Sequence, residues 1–262
     1  MKKIQYVSYK DRQIFIGYEN NLNKLNKTTS KRTKIRYRYK FVRIQKLANN
    51  LNNIIELMKQ KIIDSNEIEK QCAFSILLLI ETGMRIGNEN SAKGYICNLK
   101  KHELFEKEVQ TYGLSTLLNK HLKFENDKLI FNFIGKKLVE QNIELENNYL
   151  IEASKIFYNK DKPEEKFLNI NIPLIKKFIL ENIGKDFNIK DFRTLKACLE
   201  AGLTCNLLLE IKRPDKKREQ RNEVKSIYQK VSEYLGNTPG ICKSAYINPD
   251  IIEIFNKNRN YI

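Results

Sequence analysis

The sequence predicts an α+β fold, mostly helical, with a three-stranded antiparallel sheet inserted into the helical part. Three observations predict it. Apolar residues recur at the 3.6-residue spacing of amphipathic helices from Val42 to Met58 and again in most of the chain beyond residue 147. Between 115 and 145, three strand-like runs are separated by the turn residues Glu125-Asn126-Asp127 and Gly135-Lys136-Lys137. The apolar fraction, 41% of 262 residues, is enough for a true core and excludes wholesale disorder.

Taken in order, residues 3–18 alternate loosely (Ile4, Tyr6, then Ile14, Phe15, Ile16) and read as one or two short strands. Residues 20–31, NNLNKLNKTTSK with its Asn and Thr, read as a loop. Residues 34–41, KIRYRYKF, alternate cation and apolar residue and so predict a strand. A helix follows from Val42, on the stripe Leu47, Leu51, Ile54, Ile55 and Met58. A second opens at Ser65, an N-cap with acids in the first turn, carries CAFSILLLIETG and stops near Gly83. After MRIGNEN comes a loop-like region, then strands at roughly 115–124, 128–134 and 139–145. Helical patterns fill 147–159, 173–184, 190–203, a long basic stretch from Pro214 to Leu235, and a last short segment from Pro249. The division expected is a short β-containing N-terminal piece and linker over 1–35, and a mostly helical domain with the inserted sheet over 36–262.

Charge is the strongest compositional signal. Lys and Arg number 48 against 31 Asp and Glu, a net +17, which favours a polyanionic partner, most often nucleic acid. A lysine-rich, AT-biased coding sequence is the blander source of the same excess. No apolar run is long enough to span a bilayer, FSILLLI (74–80) being only a buried helix segment, so no membrane role is expected. The first residues lack the apolar stretch and cleavage site of a signal peptide. Five scattered cysteines without a CxxC pair predict reduced thiols and no zinc site, and only two histidines, His102 and His121, leave little room for histidine-based catalysis.

Four short motifs stand tens of residues apart: MRIGNEN with Arg85, FIGKK with Lys136, KDFRTL with Arg193, and GNTPGICKSAY with Asn237 and Tyr246. Each has an ordinary reading alone. An arginine after a helix end is commonly solvated or caps carbonyls, and a lysine in a hairpin turn is common decoration. In KDFR, Asp191 reads as an N-cap with Arg193 in the first helical turn, where a cation opposes the helix dipole unless a phosphate lies in front of it. Tyr246 is one of 13 tyrosines.

In this order, together with GLSTLLNKHL, the motifs resemble the active site of the type IB DNA topoisomerases, in particular the small poxvirus-like and giant-virus-like members. The resemblance runs from about residue 10 to 258. It implies the catalytic-domain fold shared by type IB topoisomerases and tyrosine recombinases. It further implies relaxation of supercoiled double-stranded DNA through a transient 3′-phosphotyrosyl link, without metal, ATP or other cofactor. A free tyrosine has a pKa near 10, so about 0.1% is phenolate at pH 7. With no metal, transition-state charge on the phosphate must be met by fixed donors. Arginine forks suit the phosphate oxygens, and a lysine ammonium can protonate the departing 5′-oxygen. Carried over residue by residue, Tyr246 is the nucleophile, Arg85 and Arg193 hold the phosphate, and Lys136 is the general acid. Lys190, Lys243, Lys120 and Arg12 are expected on DNA. The family usually acts as a monomer inside the cell; a viral member would work in the virion or at the host replication site.

Two departures carry expectations. Asn237 stands nine residues before Tyr246, where the family usually has histidine, and keeps a donor without the charge, which predicts reduced but measurable activity. The family's separate N-terminal β-domain is expected to be largely absent, only DRQIFIGYEN resembling its last strand, so DNA affinity should fall steeply with salt. Two alternatives remain open. One is a tyrosine recombinase or integrase, against which stands Lys190, where those enzymes usually carry histidine three residues before the second arginine. The other is a catalytically impaired DNA-binding remnant.

Overall fold

The structure, a computed structural model, describes residues 3–19, 32–98 and 106–261. In chain order its main elements are β1 (Ile4–Tyr9), β2 (Arg12–Tyr18), α1 (Arg32–Asn49), α2 (Leu51–Asp64), α3 (Glu67–Thr82), α4 (Glu89–Lys93), β3 (Tyr95–Asn98) and β4 (Glu106–Val109). There follow β5 (Leu122–Glu125), β6 (Lys128–Gly135), β7 (Val139–Leu145), α5 (Asn148–Phe157), α6 (Ile172–Asn182), α7 (Ile189–Glu210), α8 (Lys217–Leu235), the single turn α9 (Pro239–Ile241) and α10 (Pro249–Asn258). The chain divides into two compact units, one made of Met1–Asn53 with Asp186–Ile262, the other of Ile54–Lys185.

The first unit is organised around α7. From Asp191 to Gly202 every residue of this helix is buried, so it is a central helix with neighbours on all sides. Helices α1, α8 and α10 and strand β2 pack around it. Strand β2 contributes Ile14, Phe15 and Ile16, each at most 2% exposed. Its pairing with β1 is antiparallel, with Val7 opposite Ile14. Lys10 and Asp11 both have positive φ in the connecting turn, the geometry whose twist suits a tight hairpin. The hairpin is tied to the helices by amides: Asn248 Nδ2 donates to Ile16 O at 3.0 Å and Gln45 Nε2 to Tyr18 O at 2.9 Å.

The second unit holds the inserted sheet, in the order β5-β6-β7 and antiparallel throughout. Leu122 faces Phe131, and Phe131 faces Ile143. Leu129, Phe131 and Phe133 on alternate positions of β6 are buried, as the period of two demands. Helix α3, buried from Gln71 to Ile80, packs on α5, α6 and β7. No helix among the described residues is long and apolar enough to cross a membrane.

Several expectations are corrected. The strand at 34–41 is instead part of α1: the buried positions Phe41, Val42, Ile44, Leu47 and Ala48 form one helical stripe, and the helix, once nucleated there, propagates back to Arg32. The strand at 115–124 shrinks to β5, because 3-10 turns occupy Leu114–Thr116 and Asn119–His121. The N-cap of α3 is Asn66, which accepts from Glu69 N–H, rather than Ser65. The basic helix α8 begins at Lys217, beyond Pro214. The loop-like region after MRIGNEN contains α4 and the β3–β4 hairpin. The loop expected at 20–31 lies outside the described residues.

Candidate active site

The motif around Tyr246 is a series of caps. Helix α8 ends at Gly236, whose φ of 54° is the left-handed conformation that favours glycine. Its N–H bonds Glu233 O and the next N–H, of Asn237, bonds Ser232 O at 3.1 Å, a Schellman end. Thr238 then caps α9, its Oγ1 accepting from Ile241 N–H, and Pro239 takes the first helical position. A π-type turn over Cys242–Tyr246 follows, closed by Ile247 N–H on Cys242 O at 3.0 Å. Tyr246 thus sits, half-buried, at the end of a widened turn of a kind frequent at functional sites.

Arg193 meets this tyrosine. Its guanidinium carbon lies 5.4 Å from the Tyr246 ring centroid. The N-cap of α7 is Asn188, not Asp191: Asn188 Oδ1 accepts from Lys190 N–H, and Asp191 Oδ2 accepts back from Asn188 N–H, both at 3.0 Å. Arg193 therefore stands one turn further in, 5% exposed, and its Nη2 donates to Leu235 O at 2.5 Å. The cation set against the dipole of its own helix is placed instead on the C-terminal carbonyl end of α8, where the dipole welcomes it.

Sequence reasoning missed the next layer. Arg43 on α1 grips both carboxylate oxygens of Asp191, at 3.1 and 3.2 Å, fixing the start of the α7 turn that carries Arg193. Lys40, one turn earlier on α1, donates to the main-chain oxygen of Ala245 and lies 5.6 Å from the Tyr246 ring centroid. Burial pushes the Lys40 ammonium below the usual lysine range, with Cys198 and Asp191 opposing. Cys198 Sγ donates to Tyr246 O at 3.4 Å, and its own burial raises that thiol to about 12, leaving it unreactive. The signal for Lys40 and Arg43 was present in KIRYRYKFVR, but as a strand that segment places its cations differently.

Arg85 lies in the second unit, on the segment leaving α3. The GLST run is what shapes this segment. Arg85 O accepts from Leu114 N–H at 2.9 Å, and Ile86 O accepts from both Ser115 N–H and Ser115 Oγ, at 2.7 and 2.8 Å. The two strands of chain approach so closely that a Cβ on Gly113 would stand 2.5 Å from Gly87 N and 2.6 Å from Arg85 O. Below it, the buried ring of His121 accepts Leu118 N–H on Nδ1 at 3.0 Å and packs edge-on to Tyr112. Burial, helped by Lys120, lowers His121 to about 4, so it is a neutral structural residue.

Lys136 sits in the tip joining β6 to β7, a 3-10 turn over Lys136–Leu138 in which Lys137 and Leu138 both have positive φ. Its side chain is exposed and makes no hydrogen bond or ion pair among the described residues. Lys190 is likewise exposed, and Lys243 stands over the Tyr228 ring at 5.5 Å. Lys120 and Arg12 are held by carboxylates, Glu164 at 2.6 Å and Glu210 respectively. The structure thus brings Arg193 and Tyr246 together in one unit, which also holds Asn237, and places Arg85 and Lys136 in the other. Among the described residues, no group of His, Cys, Asp and Glu side chains is arranged to hold a metal ion.

Comparison with known proteins identifies the family. Residues 29–260 match the family described as eukaryotic DNA topoisomerase I, catalytic core. The chain is 24% identical over 259 residues to DNA topoisomerase 1B of Acanthamoeba polyphaga mimivirus, covering 89% of this chain and 72% of that protein. It is 25% identical over 226 residues to DNA topoisomerase I of monkeypox virus and to DNA topoisomerase 1B of vaccinia virus (strain Copenhagen), covering 85% of this chain and 64% of each. The chain belongs to the type IB DNA topoisomerases, matched through their catalytic core and similar to the small viral members.

Proposed function

We propose that the chain relaxes supercoiled double-stranded DNA by breaking one strand through a 3′-phosphotyrosyl link at Tyr246 and resealing it, without ATP or metal. Family membership supports DNA as the substrate and isomerase as the enzyme class. The observation that carries the residue assignment is the meeting of Arg193 and Tyr246, drawn from separate motifs, at 5.4 Å.

In this reading Tyr246 Oη attacks the scissile phosphorus while the bond to the 5′-oxygen breaks. Arg193 and Arg85 supply guanidinium forks to the nonbridging oxygens, and Asn237 supplies an uncharged donor. Lys136, unpaired at an exposed hairpin tip, delivers a proton to the departing 5′-oxygen. Religation reverses each transfer: the 5′-hydroxyl gives up its proton to Lys136 as it attacks, and the phenol leaves. Among the described residues Lys190 and Lys243 have no carboxylate to surrender on meeting phosphate, so they are the more effective DNA contacts. Lys120 and Arg12 must first exchange Glu164 and Glu210 for phosphate, which reduces their net contribution. The catalytic domain of residues 36–262, its kinship with tyrosine recombinases and action as a monomer belong to the same proposal.

The test is relaxation of a supercoiled plasmid in EDTA without ATP, beside Tyr246→Phe. Relaxation by the parent and none by the variant is the expected result. Relaxation by both, or strand exchange between two duplexes with matched sites, would overturn it.

A further inference from the structure

Among the described residues, two cations flank the Tyr246 ring, and only one of them belongs to the four motifs. Arg193 is at 5.4 Å from the ring centroid; Lys40 is at 5.6 Å. Lys40 is tethered there, because its ammonium donates to Ala245 O, the carbonyl immediately before the nucleophile in sequence. Its ammonium also lies beside Phe41, with Nζ 4.8 Å from that ring centroid. An ordinary surface lysine would be solvated. This one is half-buried, on a helix that also supplies Arg43 to Asp191 at the start of α7.

We propose that Lys40 is a positioning residue for the nucleophile: it fixes the Ala245–Tyr246 peptide and sets a positive charge beside the phenol that must lose its proton. The inference rests on Tyr246 being the nucleophile. As Tyr246 attacks, its O–H bond breaks, the proton leaves to solvent, and the oxygen passes through phenolate character before the O–P bond forms. A nearby cation favours that character by Coulomb attraction and by contact with the ring. A hydrogen bond to Ala245 O also restricts rotation of the peptide that carries the tyrosine, so fewer orientations are lost on reaching the phosphate. The other charged or titratable groups around this corner are Asp191, Arg193 and Cys198 on α7, Arg43 on α1, Tyr228 on α8 and Lys243 in the turn itself. Asp191 is engaged by Arg43, so within this group Lys40 and Arg193 supply the positive field at the ring. The depressed ammonium range of Lys40 is consistent with a charge held where water screens it poorly.

The experiment compares the parent, K40Q and K40R in single-turnover covalent capture of a duplex oligonucleotide across pH, with DNA affinity measured in parallel. Gln retains a donor for Ala245 O but no charge; Arg retains both. K40Q should slow capture about ten-fold at neutral pH, the size of one partly desolvated cation–π contact. The deficit should narrow as pH rises, with affinity changed less than about two-fold, since one half-buried cation contributes little phosphate attraction. K40R should stay within about three-fold of the parent by the same reasoning. Capture by K40Q at the parent rate overturns the inference. So does a deficit of equal size at every pH that K40R shares, which would mark a packing role alone. No capture by the parent itself contradicts the topoisomerase reading, and this inference with it.

Discussion

Arg193 reaches in two directions at once: its Nη2 donates to Leu235 O at the end of α8, and its guanidinium carbon stands 5.4 Å from the Tyr246 ring centroid. The chain between Leu235 and Tyr246 is the capped segment that carries Asn237. The arginine therefore touches both ends of the segment that presents Tyr246. One residue thus ties the end of α8 to the ring of Tyr246.

Asn237 is the residue most expected to limit the rate. It follows the Schellman end of α8, with its N–H on Ser232 O, so its backbone position is fixed independently of its side chain. A neutral donor to a nonbridging oxygen is weaker than a charged one. Asn237→His should raise the single-turnover cleavage rate, and Asn237→Ala should lower it by up to about 10²–10³. Equal rates for the parent and the Ala variant, with no gain from His, would remove Asn237 from the site.

Gly113→Ala tests whether the GLST turn shapes the Arg85 segment. The added Cβ would meet backbone atoms at 2.5 and 2.6 Å, which cannot rotate away. The variant should lose roughly 1–3 kcal/mol of stability, as overpacked sites do. Cleavage should fall by at least about ten-fold as Arg85 is displaced, which a small misplacement near the chemistry suffices to cause. Thermal melting and single-turnover cleavage together check it.

Lys190→Ala and Lys243→Ala should each weaken DNA binding about equally for all sequences. Each should reduce the slope of log affinity against log salt by about 1. Lys120→Ala and Arg12→Ala should change the slope less, because each cation is already paired with a carboxylate, Glu164 and Glu210, and offers phosphate less net charge. Fluorescence anisotropy at several salt concentrations reads these slopes.

His121 predicts an acid-side loss of stability. Its folded value is lowered to about 4 from an ordinary 6.5, so the unfolded chain binds more protons between these limits. The stabilising contribution is fully present above about pH 6.5 and is lost as pH falls towards 4. Urea titrations across that window should show the decline, and His121→Gln should flatten it.

Much of the fold was legible because it rests on local chemistry. The α3 stop at Gly83, the β6–β7 turn and the α10 start at Pro249 follow from residues that admit few alternatives. The α1 segment did not follow, because KIRYRYKF alternates like a strand and becomes helical only through the buried stripe beyond it. The N-cap of α7 was misplaced for a related reason: Asn188 and Asp191 are both good caps, and only the reciprocal bonds decide between them. Within the proposed site, the motifs that carry Arg193 and Tyr246, which meet at 5.4 Å, could be picked out from their order in the chain. Lys40 and Arg43 could not, since their partners Ala245 and Asp191 lie far along the chain and come together only in the packed unit.

The most direct test of the account is covalent capture. The parent and Tyr246→Phe are each mixed with supercoiled plasmid in EDTA and quenched with denaturant, and DNA-linked protein is measured. The account predicts capture by the parent, at a 3′-phosphate, and none by the Phe variant. Equal capture by both, or capture that requires a divalent metal, would contradict it.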